Sequence, residues 1–440
     1  MLLGSAVFVA ALLTWVLPAG EYERKDDPAT GRSVVVAGTY HQVPPTPVGP
    51  FAAAVAIPRG FVAAADVVAV VIFVGGAWVL VDRLGTLPAI VDALVGMFAG
   101  SGVWVIPVVA LFFATMGALE NMQEEIIPLV PALMLLGAGV GVDGVVVVAM
   151  SAGAAMVGSA FGPTNPFQAG IALKLAQLPP LSAGGLRLGM FAASFVVWVG
   201  WTMRYAIRQA PVRLKPATTR YVESGSSRTR GVLDRRHLLV LALVLAPMAA
   251  YVYGALRLDW GFNELSGAFV IGAVAAGLVG GLGVAGTVTT YVEGMQNLLP
   301  AALMVGAARA ISVVLADGHV VDTILHGLVS PLSHVPALAT AVLMIPVQGL
   351  IHVMVPSVSG QAVLTMPLFA PLADVLHFSR QVPVLAYQTG AGLMELATPT
   401  NGALMAVLVA AGVPLNRWLR FAVGGLILLT LIGLISILIV

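Results

Sequence analysis

The chain has 440 residues, of which 59% are hydrophobic and 9% charged, with a mean hydropathy of +0.99 and a net charge of +1. Soluble domains carry about 25% charged residues, so this is the composition of a polytopic α-helical membrane protein. The absence of cysteine excludes disulfides, thiolate metal sites and cysteine nucleophiles.

Residues 1–17 read as a membrane helix ending at Pro18-Ala19-Gly20, with neither the basic flank nor the cleavage site of a signal peptide. Residues 19–60 read as a polar stretch, opening on Glu21, Glu23, Arg24, Lys25, Asp26 and Asp27 and continuing through several prolines. Residues 61–82 are a span, and 84–99 are amphipathic and suited to the membrane surface. Residues 103–140 hold two apolar arms around Glu120-Asn121-Met122-Gln123-Glu124-Glu125. Each arm falls short of the roughly 20 residues of a full crossing, which predicts a re-entrant hairpin with Glu124-Glu125 at its tip. Residues 143–178 form a helix broken at Gly162-Pro163-Thr164-Asn165-Pro166, and 186–205 cross again.

The segment 204–236 holds nine of the 21 lysines and arginines, which places it in the cytoplasm. Its two tyrosines, Tyr205 and Tyr221, do not interleave the basic residues in a nucleic-acid pattern, so it reads as a solvated charge run. Beyond it, 237–254, 263–284 and 297–315 are spans, 318–330 are amphipathic and 332–376 form a second hairpin. Residues 381–412 are a second broken helix, and 415–440 the last span.

One order of elements therefore occurs twice, in 1–205 and in 263–440, joined by a basic loop (206–236) and a linking span (237–262). Counting crossings gives the two halves opposite orientation. Pro163-Thr164-Asn165 recurs as Pro399-Thr400-Asn401, 236 positions on, and Pro131 meets Pro367 at the same offset. Val74-Gly75-Gly76-Ala77 matches Val305-Gly306-Ala307-Ala308 at an offset of 231. The expected fold is an all-α polytopic membrane protein with inverted repeats, each with a re-entrant hairpin and a broken transmembrane helix. Inverted repeats of this kind belong to alternating-access carriers.

Lipid offers no partner to the backbone groups freed at a break, so protein or a polar cavity must satisfy them. Around the second hairpin tip, Ser357, Ser359, Gly360 and Gln361 are candidates for binding an anionic group, with helix capping as the alternative. Thr164, Asn165, Thr400 and Asn401 supply oxygens for a coupling sodium ion, or else satisfy the broken backbone themselves. Asn121, Glu124 and Glu125 are further substrate candidates, since carboxylates at membrane depth are functional candidates by default. Glu395 is a candidate for a coupling proton or cation. Arg309 is a candidate counter-ion, His352 a weak proton relay, and Asp374 and Arg380 a structural pair. An intramembrane enzyme finds no support: there is no HExxH motif and no thiol, and Lys174, the lone lysine near a span, sits near a helix end. A channel would lack paired hairpins.

The runs PSVSGQAVLTMPLFAPLAD, SRQVPVLAYQTGAG and PTNGALMAVLVAAGV, with TWVLPAGEYER, GGAWVLVDRLG, ENMQEEIIPLVP and GSAFGPTNPFQAGIALKLAQ, carry a resemblance over nearly the whole chain. They resemble the YfcC-type branch of the anaerobic C4-dicarboxylate carrier (DcuC-like) family, within the ion transporter superfamily. The resemblance implies an elevator-type homodimer in a bacterial cytoplasmic membrane, moving an amino acid or a carboxylate with a sodium or proton gradient and needing no other cofactor. The chain departs from the family pattern at Gly390-Ala391-Gly392, where Gly-Asp-Gly is common. Glu395, one turn on, is the expected replacement for that carboxylate. The abrupt start suggests a short N-terminus. The function expected is ion-coupled secondary transport of a small amino acid, a basic one among the candidates, or of a dicarboxylate.

Overall fold

The computed structural model describes residues 2–28, 32–86, 89, 102–163, 165–179, 181–209, 234–258 and 260–440, and is helical almost throughout. Among the described residues, eight helices are long and apolar enough to cross a membrane.

Helix α1 (Leu2–Val16) leads into two short antiparallel ribbons, β1 (Gly20–Glu21) with β4 (His41–Gln42) and β2 (Arg24–Asp27) with β3 (Arg32–Val35). The polar reading of 19–60 needs correction, because α2 (Pro50–Ala63) begins inside it. Pro50 occupies the first turn, where a missing N–H costs nothing, while the interior Pro58 disguises the helix in sequence. Helix α3 (Ala65–Arg83) follows, and the amphipathic segment expected at 84–99 lies almost wholly outside the described residues.

α2 and α3 lie along α11 (Gly283–Asp317), a 35-residue helix that extends well before the span expected at 297–315. Its N-terminal half is polar, yet Thr287 bonds back to Gly283 O on the helix itself at 2.7 Å, and Glu293 pairs with Arg83 of α3 at 2.6 Å. The matched glycine pieces are the crossing points here. A Cβ on Gly60 would meet Gly306 O at 2.5 Å, and one on Gly76 the Tyr291 ring at 2.9 Å. Helices α9 (Arg235–Arg257) and α10 (Phe262–Val279) complete this layer through Val70, Val74, Leu80, Val240, Val244 and Phe269.

The second layer holds the broken elements. α4 (Val105–Glu120) turns into α5 (Val130–Val140), and α6 (Gly144–Phe161) stops before a wide turn, Pro166–Gly170, and α7 (Ile171–Leu175). α6 contains a π-helical stretch, Ala149–Gly153, whose Ala149 carbonyl accepts from Trp198 Nε1 at 2.8 Å. Trp198 belongs to α8 (Gly184–Gln209), which is longer than expected and carries Arg204 and Arg208. The rest of the basic loop, 210–233, lies outside the described residues, and α9 takes up Arg235 and Arg236.

Later come α12 (Val321–Val329), α13 (Ala337–Met354), α14 (Val358–Val375), α15 (Gln381–Met394), α16 (Gly402–Ala410) and α17 (Leu415–Ile439). Where the α4–α5 unit joins α6, Asp143 accepts from Arg417 (2.7 Å) and from Tyr205 near the end of α8 (3.3 Å). At the far end of α14, Arg380 pairs with Asp374 (2.9 Å) and donates to Ala176 O (3.1 Å), close to Ser182 and Arg187 at the start of α8. The two bases thus stand at opposite ends of α8, whose 26 residues span about 39 Å.

The N-terminal ribbons close one end. Asp322 on α12 accepts from Tyr22 N (2.9 Å) and Arg24 (3.0 Å), and Tyr40 stacks on His326 at 4.1 Å. Burial, reinforced by the Asp322 carboxylate, pushes the Tyr22 phenol up to about 12.

Candidate functional site

The first break is organised by Asn165. Its Oδ1 accepts from Phe167 N and Gln168 N, both at 2.9 Å, and so restarts the helix. Its Nδ2 reaches Gly117 O (3.1 Å), Ser159 Oγ (2.9 Å) and Asn121 Oδ1 (3.1 Å). Asn121 ends α4 with a φ of 61°, a left-handed conformation that asparagine tolerates. Ser159 donates to Asn121 Oδ1 and lies 3.1 Å from Gln168 Oε1. The turn after α4 is therefore stitched to the gap between α6 and α7.

The second break repeats this chemistry. α15 ends at Met394, the Leu396 carbonyl accepts from Trp418 Nε1 at 2.7 Å, and Asn401 Oδ1 caps α16 by accepting from Leu404 N at 3.2 Å. Asn401 Nδ2 donates to Glu395 O (3.2 Å) and Gln123 Oε1 (3.5 Å), while Thr400 donates to Val353 O (2.7 Å). Glu395 is buried, and its Oε2 accepts from Gln123 Nε2. Its Oε1 stands 3.7 Å from Nε2 of the fully buried His352. His352 Nδ1 is 2.8 Å from Gln361 Oε1, and Gln361 Nε2 donates to Gln348 O (2.8 Å) and Gln348 Oε1 (2.7 Å).

The breaks meet because α15 crosses α6 at small residues. Gln388 Nε2 donates to Ala160 O at 3.1 Å, and Gln168 Nε2 to Gln388 O at 3.4 Å. Arg187 is buried beside them and is held by Gln388 (2.8 Å), Gln381 (2.9 Å) and Ser182 O. These hydrogen-bond partners are all neutral, so its charge is dispersed over amides and a carbonyl.

Of the sequence candidates, Asn121, Glu124, Glu125, Asn165, Glu395, Thr400 and Asn401 gather at these two breaks. The chain turns at Asn121–Gln123, so Glu124 and Glu125 open the following 3₁₀ turn instead of forming the tip, a correction that follows from the left-handed Asn121. Glu125 is buried and accepts from Gln123 N at 3.1 Å, whereas Glu124 is partly exposed. Ser357 caps α14 by accepting from Gly360 N at 3.2 Å, the helix-end role weighed above. Ser359 and Gly360 are half-buried in the first turn of α14, and Gln361 lies in the His352 chain. Thr164 lies outside the described residues. Arg309 is exposed on α11, Lys174 is exposed near the end of α7, and Asp374 pairs with Arg380. Among the described residues, no three acidic or histidine side chains converge as a metal cluster would.

Sequence reasoning missed Gln123, Ser159, Gln168, Gln348, Gln388 and Arg187. A signal existed for some: Gln348 and His352 are polar at i and i+4 within an apolar helix, hence on one face.

The match to known proteins is decided over the full length. Residues 1–440 match the model of the family DcuC, C4-dicarboxylate anaerobic carrier. The chain belongs to the DcuC family. Among relatives, YfcC of Escherichia coli strain K12, provisionally described as a basic amino acid antiporter, is 30% identical over 85% of this chain and 76% of its own length. An uncharacterized protein of Haemophilus influenzae is 25% identical over 98% of this chain and 94% of its own. The YdaH transporter of Alcanivorax borkumensis aligns over 99% of this chain and 96% of its own, with 17% identity and a TM-score of 0.43. Neisseria gonorrhoeae MtrF aligns over 99% and 94%, with 16% identity and a TM-score of 0.41. This DcuC-family member is a membrane transporter by its family.

Proposed function

We propose that this DcuC-family protein is an ion-coupled secondary active transporter of a small amino acid, with a basic one favoured. The observation that carries this reading is the buried Glu395 carboxylate, held by Gln123 between two facing helix breaks and flanked by Glu124 and Glu125. A buried carboxylate is costly unless something neutralises it, and a cationic substrate group would do so. The description of YfcC agrees with a basic amino acid. A four-carbon dicarboxylate is the second reading, favoured by the family's name and by N–H groups at the starts of α14 and α16.

In this reading residues 1–205 and 263–440 are inverted halves, and α4–α5 and α13–α14 are re-entrant hairpins. The units bearing the breaks slide, elevator-like, against α2, α3, α9, α10 and α11. The placement of the two hairpin bases at opposite ends of α8 supports opposite orientations. The carrier works as a homodimer in a bacterial cytoplasmic membrane, with the basic loop on the cytoplasmic side. Ser359, Gly360 and the N–H groups near them receive the carboxylate of the substrate, and Glu395 its cationic group.

Uptake of labelled L-arginine, L-lysine and succinate into proteoliposomes tests the proposal. Concentrative uptake of arginine or lysine, lost in Glu395→Gln, is expected. Failure of all three to accumulate would sink the reading, and succinate alone would select the second.

A further inference from the structure

This inference rests on the transport reading above and names the coupling ion. Hydrogen bonds around His352 fix its tautomer. Gln361 Nε2 faces the backbone carbonyl of Gln348 at 2.8 Å, and a carbonyl can only accept. The reverse amide orientation would set oxygen against oxygen, so Gln361 Oε1 is the end that faces His352. The imidazole Nδ1, 2.8 Å from that oxygen, therefore carries a proton and donates it. In the neutral ring, Nε2 is then a bare lone pair.

That lone pair is buried, has no hydrogen-bond partner among the described residues and looks at Glu395 Oε1 across 3.7 Å. Two acceptors facing each other in a buried site repel, and one proton on either turns the contact into attraction. The neighbouring ionisable groups are Glu124 and Glu125, from the turn between α4 and α5, with Asp66 of α3 behind Glu124. Among the described residues of α6, α14, α15, α16 and α17, the other titratable side chain near this level is the buried Tyr387, whose hydroxyl donates to Val358 O at the start of α14. Asp374 lies at the far end of α14, and Arg417 and Arg420 lie at the start of α17 by Asp143. On α11, Arg309 is exposed, and Glu293 and Asp317 pair with Arg83 and Arg59. Among the described residues, the charged groups that face the pair are Glu124 and, beside it, Glu125, which favours a positive guest.

We propose that Glu395 and His352 together hold one exchangeable proton, that this proton is the coupling ion, and that a cationic substrate group displaces it from Glu395. A single carboxylate neutralised by one guest or the other, and crossing only when neutralised, makes the carrier an exchanger of protons for cationic substrate. No bond other than that to the proton is made or broken.

The test uses the full-length carrier in sodium-free proteoliposomes, with L-arginine as probe and a pH-sensitive dye inside. With the interior acid, arginine should accumulate about tenfold per pH unit for one-for-one exchange, and the interior should become more alkaline as it enters. Glu395→Gln should lose both signals. His352→Asn keeps an N–H for Gln361 but has no nitrogen at the Nε2 position. It should retain arginine counterflow and lose accumulation driven by the pH gradient. If His352→Asn keeps that accumulation, His352 merely supports Gln361 and the proposal fails. Accumulation that follows sodium and ignores the pH gradient also overturns it, as does proton-coupled uptake of succinate in place of arginine. Absence of both uptake and counterflow for either probe overturns the transport reading itself, a different result from any of these.

Discussion

Gly392 on α15 rests against Ala160 on α6, so closely that a Cβ at 392 would stand 2.6 Å from the Ala160 Cβ and 2.6 Å from Gln168 Nε2. This contact sets the two breaks side by side and allows Gln168 and Gln388 to bridge them. Gly392→Ala should therefore destabilise the carrier by about 1–3 kcal/mol through overpacking. Gly189→Ala, with nothing within 4 Å of its added Cβ, should instead gain about 0.5–1 kcal/mol from helix propensity. Thermal unfolding in detergent, followed by intrinsic fluorescence, compares the two. Equal melting temperatures would show that the crossing tolerates a wider gap.

Asn165 serves as a cap with its oxygen, while its amide nitrogen, with two hydrogens, lies within hydrogen-bond reach of three acceptors. Asn165→Ala should cost the cap, about 0.5–2 kcal/mol, and also leave buried acceptors unpaired. Asn165→Asp keeps the cap but turns a carboxylate oxygen toward Gly117 O and Asn121 Oδ1. Both variants should melt below the parent protein. An unchanged melting temperature for the aspartate variant would show that only the cap matters.

The breaks were legible in sequence because Pro-Thr-Asn interrupts an apolar run, and proline and a capping asparagine both signal a helix start. Which side chains fill the breaks was not legible. Gln123 meets Glu395 across 272 positions of chain, and no local pattern encodes that meeting. Helix α2 escaped because Pro58 reads as a breaker, and the first half of α11 because Thr287, Glu293 and Asn297 read as loop. In the structure Thr287 bonds back to Gly283 O within the helix, and Glu293 finds Arg83 of α3. Arg187 escaped for a related reason: an arginine near a span end reads as snorkelling, while here amides on α15 draw it inward.

Arg187 supplies a planar fork to Gln388, Gln381 and the Ser182 carbonyl. Lysine cannot reproduce that geometry. Arg187→Lys should lose about 1.5–3 kcal/mol, the scale of one charged hydrogen bond. Calorimetry or fluorescence unfolding measures it. A lysine variant as stable as the parent would mean that the charge, and not the fork, is what α15 requires.

The N-terminal ribbons hang on Asp322, which is 4% exposed and takes both Tyr22 N and Arg24. Asp322→Ala should release the ribbons, because Tyr22 N loses its acceptor at a cost of about 1–3 kcal/mol. Trypsin should then cut after Arg24 or Lys25 faster than in the parent protein. Unchanged cleavage would show that the remaining contacts, the Tyr40–His326 stack with the Tyr22–His326 and Tyr40–Thr323 hydrogen bonds, hold the ribbons without Asp322.

The last prediction concerns orientation. The chain has no cysteine, so each introduced one reports a single position. Val375, at the end of α14, is 71% exposed and lies near the Asp374–Arg380 base. Asn416 is exposed beside Arg417, which pairs with Asp143 at the other base. Ser224 lies in the basic segment that the positive-inside rule assigns to the cytoplasm. A membrane-impermeant maleimide added to intact cells should label Val375→Cys and spare Asn416→Cys and Ser224→Cys. Those two should react only after permeabilisation. Helix α8 joins the two bases across about 39 Å, long enough to cross the hydrocarbon core of a bilayer. Labelling of Val375→Cys and Asn416→Cys from one side would mean that α8 does not cross the membrane, and the inverted arrangement of the halves would fall with it.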